Sequence, residues 1–311
     1  MMTRALVTIG HGTVESLDDL PAFLTAIRRG HAPPDDLVTE VRRRYLAIGG
    51  RSPLNDICRD LTDKLGQRLG LRASFAARMW RPHAAEVLAD LAREDVTDVL
   101  VLPLAQHSAA LYVDTVKAAA NLRHSQGEKA VTVVGPANWG SQPELSLAYA
   151  SALREVTLAL PEAERSTARV LFSAHSLPLA VLRAGDPYDR EVRASAEAVA
   201  RAVGSSMVAY DVVFQSQGQS QGLRGGEWLG PDVLGTLDRF SREGVKHVIF
   251  APVGFVADHV EILYDLDIEA RSWAIERGIS YARTASLNAS EGLVAALAAV
   301  AGAVWDLRGS T

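Results

Sequence analysis

Three carboxylates in the last quarter of the chain repeat at the spacing of one helical turn. Glu261, Asp265 and Glu269 stand at positions i, i+4 and i+8, with no Lys or Arg between Asp258 and Ala270. This spacing places the three on one helix face, where each like-charge pair is destabilising by about 0.2–0.5 kcal/mol. A solvated acidic face favoured by the helix dipole explains the first turn only. A divalent cation moving along the face would explain all three.

Two histidines follow predicted strands. His175 lies in Ser173-Ala-His-Ser-Leu-Pro178, and His11 lies in Gly10-His-Gly12. A histidine at a strand end is often structural, but here Glu261 is a candidate partner. A carboxylate beside an imidazole fixes its tautomer and stabilises the imidazolium, which is what proton removal requires. The sequence therefore leaves a structural and a catalytic interpretation of His175.

Arginines cluster in two places, at Arg28-Arg-Gly30 and at Arg42-Arg-Arg-Tyr45, and the second cluster precedes Ile48-Gly-Gly-Arg-Ser-Pro53. Cations near the carboxyl end of a helix are favoured by its dipole. Guanidinium groups also bind carboxylates in a bidentate way. Both interpretations remain open from the residues alone.

Other motifs exclude some kinds of site. Gly10-His-Gly12 lacks the third glycine of a dinucleotide fingerprint because position 15 is glutamate. Segment 218–226 is glycine-rich without the Lys-Ser/Thr of a phosphate-binding loop, and we predict a mobile loop there. Cys58 is the single cysteine, which excludes an intrachain disulfide and a four-cysteine iron–sulfur cluster.

The totals describe an ordinary globular chain. Its 311 residues are 48% hydrophobic and 22% charged, with a formal net charge of −5, which argues against nucleic acid as a partner. The longest apolar run, 293–305, is shorter than the ~20 residues that span a bilayer. No export signal is evident. We expect no transmembrane segment and a cytoplasmic location.

Short β-branched runs alternate with longer helical patterns along the chain, which is typical of βα units around a parallel sheet. Strands are predicted at 5–9, 73–78, 98–103, 131–135, 169–173, 207–214, 248–253 and 280–283. Helices are predicted at 17–29, 36–48, 56–69, 84–94, 113–124, 143–160, 191–202, 232–242, 258–277 and 290–308. In the ninth helix, Asp258 is the predicted N-cap and Glu261 completes its capping box.

The pattern repeats weakly between the two halves of the chain. A histidine follows a strand in each half, at His11 and His175, and a later strand of each half ends on a proline. The predicted fold class is therefore α/β, with two similar Rossmann-like lobes at 1–160 and 161–311. Each lobe has a parallel sheet flanked by helices, and the C-terminal helix packs back on the first lobe. Ligands of such folds bind at the carboxyl ends of strands, so the active-site cleft is expected between the lobes.

Five segments together resemble the ferrochelatases, which insert ferrous iron into a porphyrin. They occur in the family's order and span nearly the whole chain: Ile48-Gly-Gly-Arg-Ser-Pro-Leu54, Ser173-Ala-His-Ser-Leu-Pro178, Phe214-Gln-Ser216, Trp228-Leu-Gly-Pro-Asp232 and Pro252-Val-Gly-Phe-Val-Ala-Asp-His-Val-Glu261. Two more, Ile27-Arg-Arg-Gly30 and Gly185-Asp-Pro-Tyr188, resemble the soluble bacterial branch, some of whose members take coproporphyrin.

The resemblance implies a porphyrin held in the cleft, with His175 and Glu261 as the catalytic pair. A neutral His175 would accept a pyrrole proton, and Glu261 would offset the charge gained. Asp265 and Glu269 would continue an acidic route for Fe²⁺, because carboxylates are hard ligands. His11, from the other lobe, would hold or hand over the metal at the opposite ring face.

The resemblance also implies a substrate and its contacts. Arg28, Arg44, Ser52 and Tyr112 would contact the propionates of protoporphyrin IX or coproporphyrin III in heme biosynthesis. The expected partners are the porphyrin and Fe²⁺ alone. We expect a monomer with no cofactor beyond the iron substrate and no iron–sulfur cluster.

His11 raises an alternative. Many ferrochelatases have another residue there, often tyrosine in the soluble branch. Gly10-His-Gly12 is similar instead to the small chelatases that insert cobalt, nickel or iron into sirohydrochlorin-type rings. Segment 106–112 is also shorter than the porphyrin-contacting loop of most ferrochelatases. A chelatase for another ring or metal is therefore the alternative enzyme, and a non-catalytic tetrapyrrole or metal carrier is the alternative from another class.

Overall fold

The computed structural model describes residues 3–217 and 227–309, with side chains to residue 305. The predicted mobile loop at 218–226 lies outside the described residues. The strands are β1 Arg4–Gly10, β2 Arg72–Ala77, β3 Asp98–Pro103, β4 Thr132–Val134, β5 Arg169–His175, β6 Tyr210–Gln215, β7 His247–Ala251 and β8 Ser280–Arg283.

The α-helices fall between and beyond these strands, so the chain alternates as the hydrophobic pattern predicts. They are α1 Leu20–Ile27, α2 Asp35–Ala47, α3 Leu54–Leu69, α4 Ala84–Arg93, α5 Ala109–Ser125, α6 Pro143–Ala159, α7 Glu162–Arg165, α8 Leu179–Arg183, α9 Tyr188–Val203, α10 Val233–Arg242, α11 Val260–Leu263, α12 Arg271–Glu276 and α13 Glu291–Gly309. The short helices α7 and α8 have no counterpart among the predicted helices.

Two four-stranded sheets repeat one strand order. The first runs β2-β1-β3-β4 and the second β6-β5-β7-β8, and all neighbours are parallel. The inner strands β1, β3, β5 and β7 are almost entirely buried, as expected for strands covered by helices on both faces. The predicted α/β class with two Rossmann-like lobes is confirmed. His11 and His175 lie at equivalent ends of β1 and β5.

The predicted helix at 258–277 is interrupted. Residues Asp265–Ala270 between α11 and α12 form a π-helix, in which the amide of Glu269 donates to the carbonyl of Tyr264 at 2.9 Å. Such wide turns are rare and occur often at functional sites.

The predicted N-cap at Asp258 is wrong. The helix begins at Val260 with His259 as N-cap and no side-chain capping bond. The Asp258 carboxylate instead accepts hydrogen bonds from Ser286 Oγ at 2.6 Å and Asn288 Nδ2 at 3.0 Å. Two such bonds outweigh the single bond that a cap would provide.

Helices connect the two lobes. Helix α6 packs against α9 and β7, whereas α13 packs against α6, α3 and β3, and one buried cluster includes side chains from both sheets. The lobe boundary at residue 160 stays a prediction. In the parts of the chain that the structure describes, no helix is long and apolar enough to cross a membrane.

Candidate active site

His175 and Glu261 meet in the cleft between the lobes. His175 ends β5 and is paired in register with Gln215 of β6, while Glu261 lies in the first turn of α11. His175 Nε2 is 3.5 Å from Glu261 Oε2. The side chain of Gln215 donates to the Glu261 carbonyl at 2.7 Å, which holds the start of α11 against the second sheet.

Glu261 Oε2 also lies near two other polar groups. Ser216 Oγ shares its one proton between Glu261 Oε2 at 3.2 Å and Asp265 Oδ2 at 2.7 Å, and His259 Nε2 lies 4.0 Å from Glu261 Oε2. Both histidines have Nδ1 against a backbone carbonyl, that of Ser176 for His175 and that of Ala257 for His259. Because a carbonyl only accepts, each Nδ1 carries the proton of this hydrogen bond, and Nε2 is the ring nitrogen that faces the carboxylate. This arrangement can accept protons on either side of Glu261.

The charges in this cluster shift its pKa values. Burial raises the pKa of Glu261, but His175, His259 and His11, with the Ser216 hydrogen bond, outweigh it, so the net pKa lies below the ordinary value. Burial lowers the pKa of His259, and Glu261 opposes that change. The cluster therefore has an ionised carboxylate beside a neutral imidazole at pH 7.

His11 lies on the opposite wall of the cleft, directly after β1, and its side chain is exposed to the cleft. Its ring contacts Phe23 edge-on at 6.4 Å, and Phe23 contacts Trp80 in the same way at 5.7 Å. Restricted hydration lowers the pKa of His11, and the charge of Glu261 partly offsets that change. The wall around His11 is apolar, with half-buried side chains at Leu17, Ile27, Met79 and Trp80.

Close backbone packing explains two glycines of the motifs. Gly12 has a φ of +83°, and a Cβ there would lie 2.5 Å from the Cβ of Ala77, so backbone conformation and packing both require glycine at position 12. A Cβ on Gly254 would lie 2.5 Å from Ala174. Any side chain there would push the loop before Glu261 away from the strand that carries His175.

The two deeper carboxylates line a pocket of about 160 Å³ beside the His175–Glu261 pair. Asp265 is only 6% exposed and accepts from Arg44 Nη1 at 2.8 Å and from Ser216 Oγ at 2.7 Å. Burial and the Glu261 charge raise the pKa of Asp265 to about 7, although Arg44 lowers it. Glu269 lines the same pocket. Among the described residues, no three His, Cys, Asp or Glu side chains converge as a preformed metal site.

The four residues predicted to contact propionates differ in access. Arg44 is 8% exposed and bonded to Asp265 and Glu40, Ser52 is 2% exposed, and Tyr112 is 8% exposed. Arg28, at the end of α1, is half-buried, and its Nε has no hydrogen-bond partner among the described residues. In this structure Arg28 is therefore the most available of the four, and all four roles stay predictions.

Sequence reasoning missed three polar residues of the cleft: Arg78, Ser216 and His259. The guanidinium of Arg78 lies 5.5 Å from the centre of the Tyr112 ring and forms no ion pair with a carboxylate in the described parts of the chain. Its position directly after β2 was the available signal, because ligands gather at the carboxyl ends of strands. Ser216 follows β6, so the same signal applied to it. His259 is two residues before Glu261.

Comparisons with known proteins test the resemblance to the ferrochelatases. The ferrochelatase family model matches residues 3–303. The chain is 32% identical over 290 residues to a ferrochelatase from Herpetosiphon aurantiacus, covering 91% of this chain and 93% of that one. It is also 32% identical over 305 residues to the coproporphyrin III ferrochelatase of Bacillus subtilis, covering 95% and 96%.

Solved structures show the same fold at low identity. SirB from Bacillus subtilis with Fe³⁺ aligns with a TM-score of 0.61 at 12% identity, covering 99% of this chain and 98% of that one. The sirohydrochlorin chelatase SirB from Bacillus subtilis subspecies spizizenii, in complex with cobalt, aligns with a TM-score of 0.52, the same identity and the same coverage. With the family model matching almost the full length and two relatives above 30% identity, the chain belongs to the ferrochelatase family.

Proposed function

We propose that this protein inserts Fe²⁺ into a porphyrin in heme biosynthesis, with His175 as proton acceptor and Glu261 as its charged partner. The observation that carries the proposal is the 3.5 Å distance from His175 Nε2 to Glu261 Oε2, with both side chains partly exposed. A tetrapyrrole or metal carrier would need the cleft but not this pair. The pair therefore favours an enzyme.

The proton chemistry follows from the tautomers. Two pyrrole N–H protons leave the ring as a divalent metal enters. The unprotonated Nε2 of His175 accepts the first, and Glu261 stabilises the imidazolium. His259 Nε2, 4.0 Å from the same carboxylate oxygen, is positioned to accept a proton passed through Glu261. The two histidines thus provide separate places for the two protons.

The metal and the ring approach from different directions. Fe²⁺ would enter along the acidic row, which we define as Glu261, Asp265 and Glu269, because carboxylates bind a hard divalent cation in transit. The apolar wall around His11 would cover one face of the macrocycle. Arg28 and Arg78 are half-buried and have no ion-pair partner among the described residues, so they are candidates for propionate binding.

The identity of the ring is the open part of the proposal. The name of the Bacillus subtilis relative, coproporphyrin III ferrochelatase, supports coproporphyrin III, and protoporphyrin IX is the alternative. His11 favours a second candidate, a chelatase that acts on a sirohydrochlorin-type ring or takes cobalt or nickel. We further propose that the enzyme acts as a cytoplasmic monomer with no cofactor beyond its iron substrate.

One set of assays tests the proposal. The purified protein is mixed with protoporphyrin IX, coproporphyrin III or sirohydrochlorin, each with Fe²⁺ or Co²⁺ under anaerobic conditions. Metal insertion is followed by absorbance. We expect the fastest insertion with Fe²⁺ and one of the two porphyrins. Insertion only into sirohydrochlorin would establish the second candidate, and binding of rings without any insertion would establish a carrier.

Removing the carboxylate of Asp265 or Glu269 should weaken the apparent affinity for the metal. Glu269→Ala and Asp265→Ala are expected to raise the apparent KM for the metal about tenfold, or about 1.4 kcal/mol of binding free energy, with a smaller change in kcat. Steady-state rates at varied Fe²⁺ or Zn²⁺ measure this. Glu276→Ala, an exposed carboxylate on α12, is the control. Unchanged metal dependence in both variants would show that Asp265 and Glu269 do not bind the metal on its way to the ring.

The same site predicts a pH dependence. Because the pKa of Asp265 is raised to about 7, its carboxyl is increasingly protonated as pH falls from 8 to 6, and the proton competes with the metal. The apparent metal KM should therefore rise over this range as pH falls. The side chain in Asp265→Asn does not titrate between pH 8 and 6. The metal KM of this variant should therefore be higher than that of the wild type and should change less with pH. If the metal KM rises equally in the wild type and in Asp265→Asn as pH falls, a group other than Asp265 causes the pH effect.

A further inference from the structure

A bidentate ion pair lies behind the π-helical segment. Arg283, the last residue of β8, donates through Nε to Asp267 Oδ1 and through Nη2 to Asp267 Oδ2, both at 2.7 Å. Its Nη1 donates to the Thr284 carbonyl at 2.9 Å and Ser286 Oγ at 3.3 Å. The side chain of Arg283 is 14% exposed. All three guanidinium nitrogens are thus bonded within the protein, so Arg283 has no nitrogen left over for a substrate.

Arg283 also contacts the loop that precedes α11, the helix that contains Glu261. Its Nη1 is 3.5 Å from Asp258 Oδ1, and Asp258 is held by Ser286 and Asn288. The Arg283 guanidinium therefore contacts Asp258, which precedes Glu261 in the sequence, and Asp267, which follows it. These contacts fix both the loop that precedes α11 and the π-helical segment that follows it.

The π-helical geometry matters for the acidic row. In an unbroken α-helix, each i, i+4 step advances about 40° around the axis, so three such residues drift off a common line. A π turn needs more residues per turn, so a four-residue step falls short of a full turn and offsets the drift. From this geometry we expect the segment Asp265–Ala270 to turn Glu269 back toward the line of Glu261, and Asp265 and Glu269 do line one pocket. A π turn is less favourable than an α turn in isolation, and tertiary contacts must stabilise it.

We propose that the Asp267–Arg283 ion pair is a positioning pair that holds the π turn and thereby aligns the acidic row for metal delivery. The inference rests on the proposed function. Asp265 faces the cleft and is bonded to Arg44 and Ser216, whereas Asp267, two residues on, is bonded to Arg283. The segment is therefore held from two sides, and only the Asp267 side lies outside the pocket.

The same stretch offers a matched control. Arg277, directly after α12, bonds Asp238 of α10, and Trp273 Nε1 donates to Asp238 at 3.0 Å. This second ion pair also anchors the helix to the lobe, but beyond the π-helical segment. If any ion pair that anchors this helix were enough to align the acidic row, removing either pair would raise the metal KM by the same factor.

The test compares Asp267→Asn, Arg283→Lys and Asp238→Asn. For each, kcat and the KM values for Zn²⁺ and for porphyrin are measured, together with the melting temperature. We expect the metal KM to rise about tenfold in the first two, the usual cost of removing a partner that orients a metal-binding group, with the porphyrin KM unchanged. Asp238→Asn should lower the melting temperature and leave the metal KM unchanged.

A double variant and a binding measurement complete the test. Combining Asp267→Asn with Arg283→Lys should raise the metal KM by no more than either change alone, because both disrupt one pair. Zn²⁺ binding to the protein without porphyrin, measured by calorimetry, should weaken in parallel. If the wild-type protein binds Zn²⁺ but inserts no metal, the proposed function fails while this binding comparison still tests the pair. An unchanged metal KM and Kd in Asp267→Asn, or an equal rise in Asp238→Asn, would overturn the proposal.

Discussion

His175→Ala is expected to slow metal insertion by about 10²–10⁴-fold while leaving porphyrin binding intact. The change removes the proposed base, whose Nε2 lies 3.5 Å from Glu261 Oε2, and leaves the apolar wall around His11 unaltered. Loss of a positioned general base typically lowers kcat by about 10²–10⁴-fold. Stopped-flow absorbance with Fe²⁺ or Zn²⁺ measures insertion, and fluorescence quenching measures porphyrin binding.

The control for this variant is His124→Ala, since His124 is an exposed histidine near the end of α5. It should retain full turnover. Added imidazole should restore part of the lost rate in His175→Ala, because the truncated side chain leaves room for a free base in the cleft. Undiminished turnover of His175→Ala would end the assignment of His175 as the proton acceptor.

Glu261→Gln is expected to lower kcat on the order of 10²-fold with little change in fold stability. Glutamine has the same shape, and the Gln215 contact is to the backbone of residue 261, so it persists. The negative charge that stabilises the His175 imidazolium is lost, and proton acceptance becomes less favourable. Single-turnover insertion with Zn²⁺ measures the chemical step.

The pH dependence of the metal KM in Glu261→Gln shows whether the charge or the shape of the side chain at position 261 matters. The Glu261 carboxylate contributes to the raised pKa of Asp265, so the variant should shift the pH dependence of the metal KM to lower pH. Glu276→Gln, on the exposed side of α12, should alter neither property. Normal single-turnover rates in Glu261→Gln would show that the charge at this position is not required for insertion.

The hydrophobic pattern was sufficient to predict the sheets. All eight predicted strands are present, because the buried strands of parallel sheets are short β-branched runs bounded by turn residues. The repeat of a histidine after a strand in each half also predicted the equivalence of His11 and His175. That prediction needed only chain order, since carboxyl ends of parallel strands share one edge.

Short-range periodicity could not predict the π turn or the true start of the helix. Asp258 has the residue type of an N-cap, yet Ser286 and Asn288 bind it from a segment almost thirty residues further along the chain. Likewise the i, i+4 spacing of the acidic row predicts an α-helix, and the wide turn at Asp265–Ala270 is held by contacts from other elements. Neither effect has a local signal.

The sequence by itself determined the two parallel sheets and the residue types placed at their carboxyl ends, since these depend on chain order and on patterns within single elements. Tertiary structure decided which groups are free to act. Arg44 has the chemistry of a propionate ligand, but folding buries it against Asp265, whereas Arg78 has no carboxylate partner in the described parts of the chain. The reason is physical: pairing between charges distant in sequence is set by three-dimensional packing.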